Sequence, residues 1–448
     1  MARGDEAAAG AGGDGNDDGE ASAESLAQAQ AETRFQSEVE TNLRRNFAVH
    51  VMHGLLGQTG FRIIQAPTFL PAYVFFLSGS TSLVGLARSC QALGMFLTPI
   101  LGATLIEHRR RVMPMVFATG AGMRLQVLGL SLCGFFLGAE ANMIAVCALL
   151  GLFGFFTGMQ SVTFSVLVSK VIPVERRGSL VGLRNSLAGL TAAVVGVIGG
   201  VLVDKEVFGN GYASVFLVSF ILTASGLLSL LLMREPESPT VKRQSGLGAR
   251  LRELPALLSS DGDFRAYMLA RALGASGRMA MPYYVLYASA EGGVDGSRLG
   301  WLTGAFLISQ TGSNLLWGLI ADRQGFRNVL AMSLVAWIGA TLVILFSPSF
   351  EGTVVAFVGL GTGLGGFMLA CTNLVLEFGK REDVPMRIAM AQSAEQAVSV
   401  VAPLLGGVLA ASVGYPPLFW TAASLQTIAL VVTVTRVAEP RRRPLNAA

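Results

Sequence analysis

Residues 183–204 read LRNSLAGLTAAVVGVIGGVLVD, and after a short polar break residues 211–236 read GYASVFLVSFILTASGLLSLLLMREP. Much later in the chain the pattern returns, as AMAQSAEQAVSVVAPLLGGVLAA at 389–411 and GYPPLFWTAASLQTIALVVTVTRVAEP at 414–440. Gly199 and Gly200 match Gly406 and Gly407, and Gly211 and Tyr212 match Gly414 and Tyr415. Phe216 matches Phe419, and Glu235 and Pro236 match Glu439 and Pro440. Each segment holds a run of about 20 mostly apolar residues, enough to cross about 30 Å of hydrocarbon as one helix. The runs are continuously apolar rather than alternating, which excludes a β-barrel. A pair of membrane helices has therefore been written twice.

A second match opens each half. LGQTGFRIIQAP at 56–67 carries Gly57, Gly60, Arg62 and Pro67, and LGASGRMAMP at 273–282 carries Gly274, Gly277, Arg278 and Pro282. Composition agrees, with 52% hydrophobic and only 14% charged residues, against about a quarter charged in soluble proteins. The expected fold is an all-α membrane protein of twelve transmembrane helices in two pseudo-symmetric six-helix bundles. The expected spans are 46–77, 79–105, 112–137, 141–169, 179–203, 212–233, 264–289, 298–321, 327–347, 352–377, 386–411 and 415–436. The chain divides into a disordered acidic tail (1–45), an N-terminal bundle (46–234), a linker (235–263), a C-terminal bundle (264–437) and a basic tail (438–448). Six is even, so both copies share one orientation, their symmetry axis lies along the membrane normal, and a cavity forms between them.

Charge sets the orientation. Arg44, Arg45, Arg109, Arg110, Arg111, Lys170, Arg176, Arg177, Arg323, Arg327, Lys380, Arg381 and Arg441 all fall on one side of the predicted spans. The other side receives Lys205 and Arg298 among Glu140, Asp204, Glu206, Glu291, Asp295 and Glu351. The positive-inside rule then makes both termini and the linker cytoplasmic, in the plasma or inner membrane. The acidic tail, with Asp14, Asp17, Asp18 and Glu20, cannot build a core and reads as disorder, apart from a short surface helix over 25–45. It lacks the basic start and apolar stretch of a signal peptide. A net charge of +4 is no nucleic-acid signal.

Residues 318–330 read GLIADRQGFRNVL. At the boundary of spans eight and nine, this resembles the cytoplasmic-loop signature of the major facilitator superfamily: a glycine, Asp-Arg, then a second glycine and a basic residue. The sequences IPVERRG at 172–178 and APLLGG at 402–407 are also similar to that superfamily, of bacterial type, over about 46–437. The resemblance implies alternating access, with spans one and seven lining a central cavity. It also implies a latch of Gly318, Asp322, Arg323, Gly325 and Arg327. Gly318 is expected to let span eight approach a neighbour closely. Asp322 is expected at the positive N-terminal end of span eleven, near 383–389, with Arg323 and Arg327 pairing with Glu382 or Asp383. Such a latch favours an outward-facing state. The first-half copy, GATLIEHRRRVMP at 102–114, is degraded. Its acid, Glu107, falls one residue late, arginine replaces the second glycine, and Ala103 is expected to take over close packing.

Ionisable residues inside spans are functional candidates. Arg62 and Arg278 occupy matched mid-span positions and read as a guanidinium pair for an anionic or carboxylate-bearing substrate. The alternative is structural, with each bonding carbonyls freed by nearby glycines and prolines. Arg88, Gln310 and Asn314 are further substrate-binding candidates. Glu395 and Glu377 are candidates for proton coupling, with a structural ion pair as the alternative. Arg184 and Arg271 read as snorkelling residues near span ends, and Arg124 in span three has no evident role. Gln160, Asn373, Gln392 and Gln396 read as cavity residues or interhelical glue. GLGTGLGG at 359–366 lies inside span ten with no strand before it, so it reads as close helix packing, as do Gly182, Gly189 and Gly196. Cys90, Cys133, Cys147 and Cys371 read as small core residues, and His50, His53 and His108 form no metal set.

The chain therefore reads as a secondary transporter of a small solute rather than an enzyme, since it shows no nucleophile–base set, metal motif or nucleotide loop. The reading expects no enzyme activity, no cofactor, no metal and no nucleic-acid partner. It expects a monomer in the lipid bilayer, coupled to protons. Efflux of amphiphiles by the same fold is the main alternative, and a non-transporting membrane sensor is the alternative from another class.

Overall fold

A computed structural model describes residues 17–96, 98–106, 108–239, 261–378 and 384–437. The protein is all-α, with twelve spans in two six-helix bundles. Span one runs through Leu43–His53, the π-helical Gly54–Gln58 and Thr59–Gln65, then breaks and resumes as Phe69–Ser78. Span two covers Thr81–Ile106. Spans three to six are Met113–Phe136, Ala139–Val171, Val174–Asp204 and Gly211–Leu232. Span seven begins as Gly262–Ala275, passes through two 3-10 turns, and ends as Tyr284–Gly292. Spans eight to twelve are Gly296–Gln324, Phe326–Phe346, Phe350–Glu377, Val384–Val413 and Tyr415–Arg436.

Among the described residues, nine helices are long and apolar enough to cross a membrane, and a tenth if the pair bent by 43° around residues 66–68 is one span. Spans seven and eight fall short for reasons that bear on the site. Span seven is interrupted at Ser276–Met279 and Met281–Tyr283 and carries Arg271 and Arg278. Span eight carries Ser309, Gln310, Thr311, Ser313 and Asn314 close together.

The breaks in spans one and seven follow the repeat. In each, an arginine is followed by a proline, Pro67 or Pro282, which withholds a backbone donor and interrupts the helix. The repeated glycine pairs do matching work. A side chain on Gly199 would meet Phe69 of span one, and one on Gly406 would meet Met279 and Tyr283 of span seven. The second glycine of each pair faces the other bundle. Gly200 abuts Gly296 and Gly300 of span eight, and a Cβ on Gly407 would lie 2.9 Å from the Thr81 carbonyl of span two.

Two expectations about glycines and one about the tail are corrected. A Cβ on Gly318 would meet nothing within 4 Å, so Gly318 permits no close approach. Span eight is instead approached by span ten through Gly361, Gly365 and Gly366, which meet Phe306, Gln310 and Trp317. In the degraded first-half copy, Gly102 packs on the Met159 backbone. Gly182 is likewise open, while Gly189 and Gly196 face Thr311 and Thr303 of span eight. The surface helix expected over 25–45 in the tail runs Asp17–Thr41, starting in the stretch expected to be disordered, and is exposed along most of its described length. Local pairs such as Arg34 Nε to Glu38 Oε1 at 3.3 Å support it.

Candidate functional site

The bundles meet most closely at one end. The carboxylate of Asp204, ending span five, accepts the N–H of Gly296 at 2.5 Å and that of Ser297 at 2.7 Å, and also the Ser297 hydroxyl. It therefore caps the positive end of span eight. On the pseudo-symmetric side, Gly407 O accepts from the hydroxyls of Thr81 and Ser82, each at 3.4 Å. Thr303 of span eight donates to Thr68 of span one at 2.8 Å. Below this seal a cavity of about 800 Å³ extends toward the end that carries the basic loops. Spans one, two, five, seven, eight, ten and eleven line it.

The charged lining is Arg62, Arg88, Arg184, Arg278 and Glu395. Arg62 donates across the bundle interface to Thr311 Oγ1 of span eight at 3.0 Å. Arg88 donates to the Ala66 carbonyl at 2.9 Å and to Gln91 Oε1 at 3.1 Å. Arg184 packs its stem over Gly54 and lies over the Phe164 ring, 5.9 Å from its centroid. With the Gln58 amide oriented to satisfy its neighbours, its oxygen accepts from Arg184 Nε at 3.1 Å. Among the described residues, no carboxylate lies within 4 Å of these three guanidinium groups.

Arg278 differs. It donates to Glu395 and to Ser399, one turn apart on span eleven. Glu395 is held from behind by Arg271, whose Nε and Nη2 lie 2.9 and 2.6 Å from Oε2. Arg271 also donates to the Tyr267 hydroxyl at 3.0 Å and to the Cys371 carbonyl.

The structure thus brings Arg62, Arg88, Arg278, Gln310, Asn314 and Glu395 around one cavity, joined by Asn373 and Gln396. Glu377 does not line it and lies in the last turn of span ten. Gln160 accepts from Thr119 at 2.5 Å, joining spans three and four, and Gln392 lines a separate hollow beside span four. Arg271 and Arg184 are not snorkelling residues: the first is buried against Glu395 and the second faces the cavity. Arg271 lies two turns before Arg278 on the same face of span seven, a spacing that signals a shared partner. Arg184 has no counterpart in the repeat to mark it. Arg124 is buried, donating to the carbonyls of Thr223 at 2.5 Å and Gly120 at 2.8 Å; it is interhelical glue between spans three and six.

Of the latch residues, Asp322 and Arg323 are exposed and Arg327 is half-buried. Gly325 has φ +87°, a turn conformation that favours glycine. The side chain of Glu107 and the expected partners Glu382 and Asp383 lie outside the described residues.

The model of the Major Facilitator Superfamily matches residues 54–277 and again 266–448. The chain belongs to that superfamily. The double match falls on the two halves of the repeat. Within the superfamily, the chain is 25% identical to the multidrug resistance protein MdtG of Salmonella typhimurium, over 87% of this chain and 94% of that protein. It is 30% identical to the MdtG of Proteus mirabilis over 37% of this chain, a stretch covering only 42% of that relative. Among solved structures, the nucleoside transporter NupG aligns with a TM-score of 0.68 at 13% identity, covering 87% of this chain and all of that one. A D-xylose-proton symporter aligns with a TM-score of 0.69 at 12% identity, covering 90% and 100%. These likenesses carry the superfamily fold.

Proposed function

We propose that this superfamily member moves a small anionic solute, one with an apolar body, across the membrane by alternating access. The observation that carries the reading is the set of Arg62, Arg88 and Arg184 in one cavity, bonded only to neutral partners among the described residues. Charge buried without a counter-charge is costly, and a bound anion relieves that cost. Guanidinium groups suit carboxylates and phosphates because they offer paired donors in a plane. Phe61, Met95, Phe306, Leu364 and Met368 supply the apolar remainder of the wall.

With the basic loops cytoplasmic, the Asp204 seal is on the outside and the cavity opens inward. A latch built on Asp322 belongs to the opposite, outward-facing state, which agrees with its exposure here. Glu395 is the coupling carboxylate of this reading. It holds Arg278 when the cavity is empty, and a substrate anion competes for the same guanidinium, with protonation of Glu395 accompanying the exchange.

The name of the MdtG relatives supports a second reading, export of structurally varied amphiphiles. Met95, Met281 and Met368 favour it, because flexible thioether side chains adapt to varied shapes. Flux into proteoliposomes tests both. Aryl carboxylates and cationic dyes are supplied in turn, with and without an imposed pH gradient. The anion reading expects gradient-dependent carboxylate flux that Arg278→Ala removes. Dye flux with no carboxylate flux overturns it in favour of the second reading.

A further inference from the structure

Three guanidinium groups stand against successive turns of one helix. Arg184 is bonded at Gln58, Arg62 follows four residues later, and Arg88 is bonded to the Ala66 carbonyl four residues beyond that. Positions 58, 62 and 66 share one face of span one. The three anchor positions on span one are about one helical turn apart, roughly 5 to 6 Å, and the outer two about twice that. Every rung comes from a different span: five, one and two. All three belong to the N-terminal bundle and keep their spacing when that bundle moves as a unit.

Their partners hold the charges in place without neutralising them. A guanidinium has five donors, and a glutamine oxygen, a threonine hydroxyl or a backbone carbonyl occupies one or two while leaving the positive charge. The C-terminal wall opposite is different. Its cavity-lining arginine in span seven, Arg278, is already held by Glu395 and Ser399, and spans eight and ten line the cavity with the apolar Phe306, Leu364 and Met368 and the uncharged Gln310 and Asn314.

We infer that the cavity takes a dianion: a solute with two acidic groups about one to two helical turns apart. Its charged edge lies on the ladder of Arg184, Arg62 and Arg88, and its apolar spacer faces spans eight and ten. A monoanion satisfies one rung and leaves two uncompensated charges in a low-dielectric site. A dianion reaches two rungs without ordering any new protein group. Arg184 is then a specificity-determining residue, selecting for the second acidic group. The inference rests on the anion reading and narrows it.

Titration calorimetry on the full-length protein in lipid nanodiscs tests it. The probes are adipate, suberate and sebacate, against hexanoate, octanoate and the dimethyl ester of suberate. A dicarboxylate is expected to bind about tenfold or more tighter than the monocarboxylate of equal length, the gain of one further charge-assisted contact. Arg184→Gln is expected to lower suberate affinity by about tenfold more than it lowers octanoate affinity, the difference of one charge-assisted contact. Arg184→Lys, which keeps the charge, is expected to retain part of the dicarboxylate advantage. If octanoate and suberate bind equally to the unmodified protein, the ladder is wrong while the anion reading stands. If only the diester binds, the anion reading itself falls. The comparison among ligands needs no variant, so misfolding of a substituted protein does not obscure the outcome.

Discussion

Asp204 and Gly296 join the two bundles through a carboxylate that accepts the first backbone N–H of span eight at 2.5 Å. The neighbouring N–H and hydroxyl of Ser297 bind the same carboxylate, so one side chain gathers three bonds across the closed end of the cavity. Its counterpart between spans eleven and two uses uncharged contacts: hydroxyl bonds to Gly407 at 3.4 Å, Gly85 packed on the Pro403 carbonyl, and Tyr283, which donates to the Thr81 and Pro403 carbonyls. The charged part of the seal therefore lies on the Asp204 side. Asp204→Asn removes the charge and replaces one acceptor oxygen by a donor. At about 1 to 2 kcal/mol for such a cap, the population sealed at this end should fall several-fold. A cysteine introduced at Thr303, buried behind the seal, should then react faster with an impermeant maleimide. An unchanged labelling rate means the seal is set elsewhere.

Arg271 and Arg278 share Glu395 but should fail differently. Arg271 is buried with four donated bonds, whereas Arg278 is cavity-facing. Arg271→Ala strips Glu395 of its rear support and leaves a buried carboxylate under-compensated, a change that costs about 3 to 5 kcal/mol. It should lower the melting temperature of the purified protein by several degrees. Arg278→Ala should melt near the wild-type temperature and lose gradient-dependent flux. Equal melting losses in the two variants would make Arg278 a structural residue too.

How far the residues could be read in advance follows from what each signal measures. Apolar runs and the repeat of Gly199, Gly200, Gly406 and Gly407 were enough for the bundles, because helix length and small contact residues are written locally. Arg62, Arg88 and Glu395 stood out for the same reason: a charge inside an apolar run is conspicuous. Arg184 and Arg271 were misread because their distance from a span end says nothing about direction. Arg184 turns inward over Gly54, and Arg271 points at a residue distant in sequence. Gly318 fits a motif yet faces open space, since a pattern names a residue without showing what lies opposite it. The surface helix expected over 25–45 begins earlier, at Asp17, because the composition there suits disorder while the stabilising pairs are local and polar.

The glycines give a graded test. Gly407→Ala and Gly200→Ala each place a methyl into the facing span, against the Thr81 and Ser82 backbone in one case and Gly296 and Gly300 in the other. Neither contact can yield without separating the bundles, so both variants should shift the protein toward the state open at the Asp204 end. Distances between spin labels on spans five and eight should lengthen. Gly318→Ala should leave those distances unchanged and alter stability by no more than about 1 kcal/mol, in the stabilising direction, since alanine favours the helix.

Arg62 holds two roles that one substitution confuses and a pair separates. It faces the cavity as the middle rung on span one, and it also donates to Thr311 of span eight at 3.0 Å. An anion drawing Arg62 toward itself weakens that cross-bundle bond, so occupancy and the seal are mechanically linked. Arg62→Ala loses both functions and should abolish binding while the fold survives. Thr311→Val keeps the shape but deletes the acceptor. A hydrogen bond to a charged group contributes about 1.5 to 3 kcal/mol, so Thr311→Val should loosen the seal by about tenfold or more. Anion affinity should hold or rise, because Arg62 no longer has to leave a partner. Labelling at the sealed end and calorimetric affinity, measured on the same two variants, decide the matter. Should Thr311→Val weaken binding as much as Arg62→Ala, the hydroxyl positions the guanidinium for substrate, and the link between occupancy and the seal is lost.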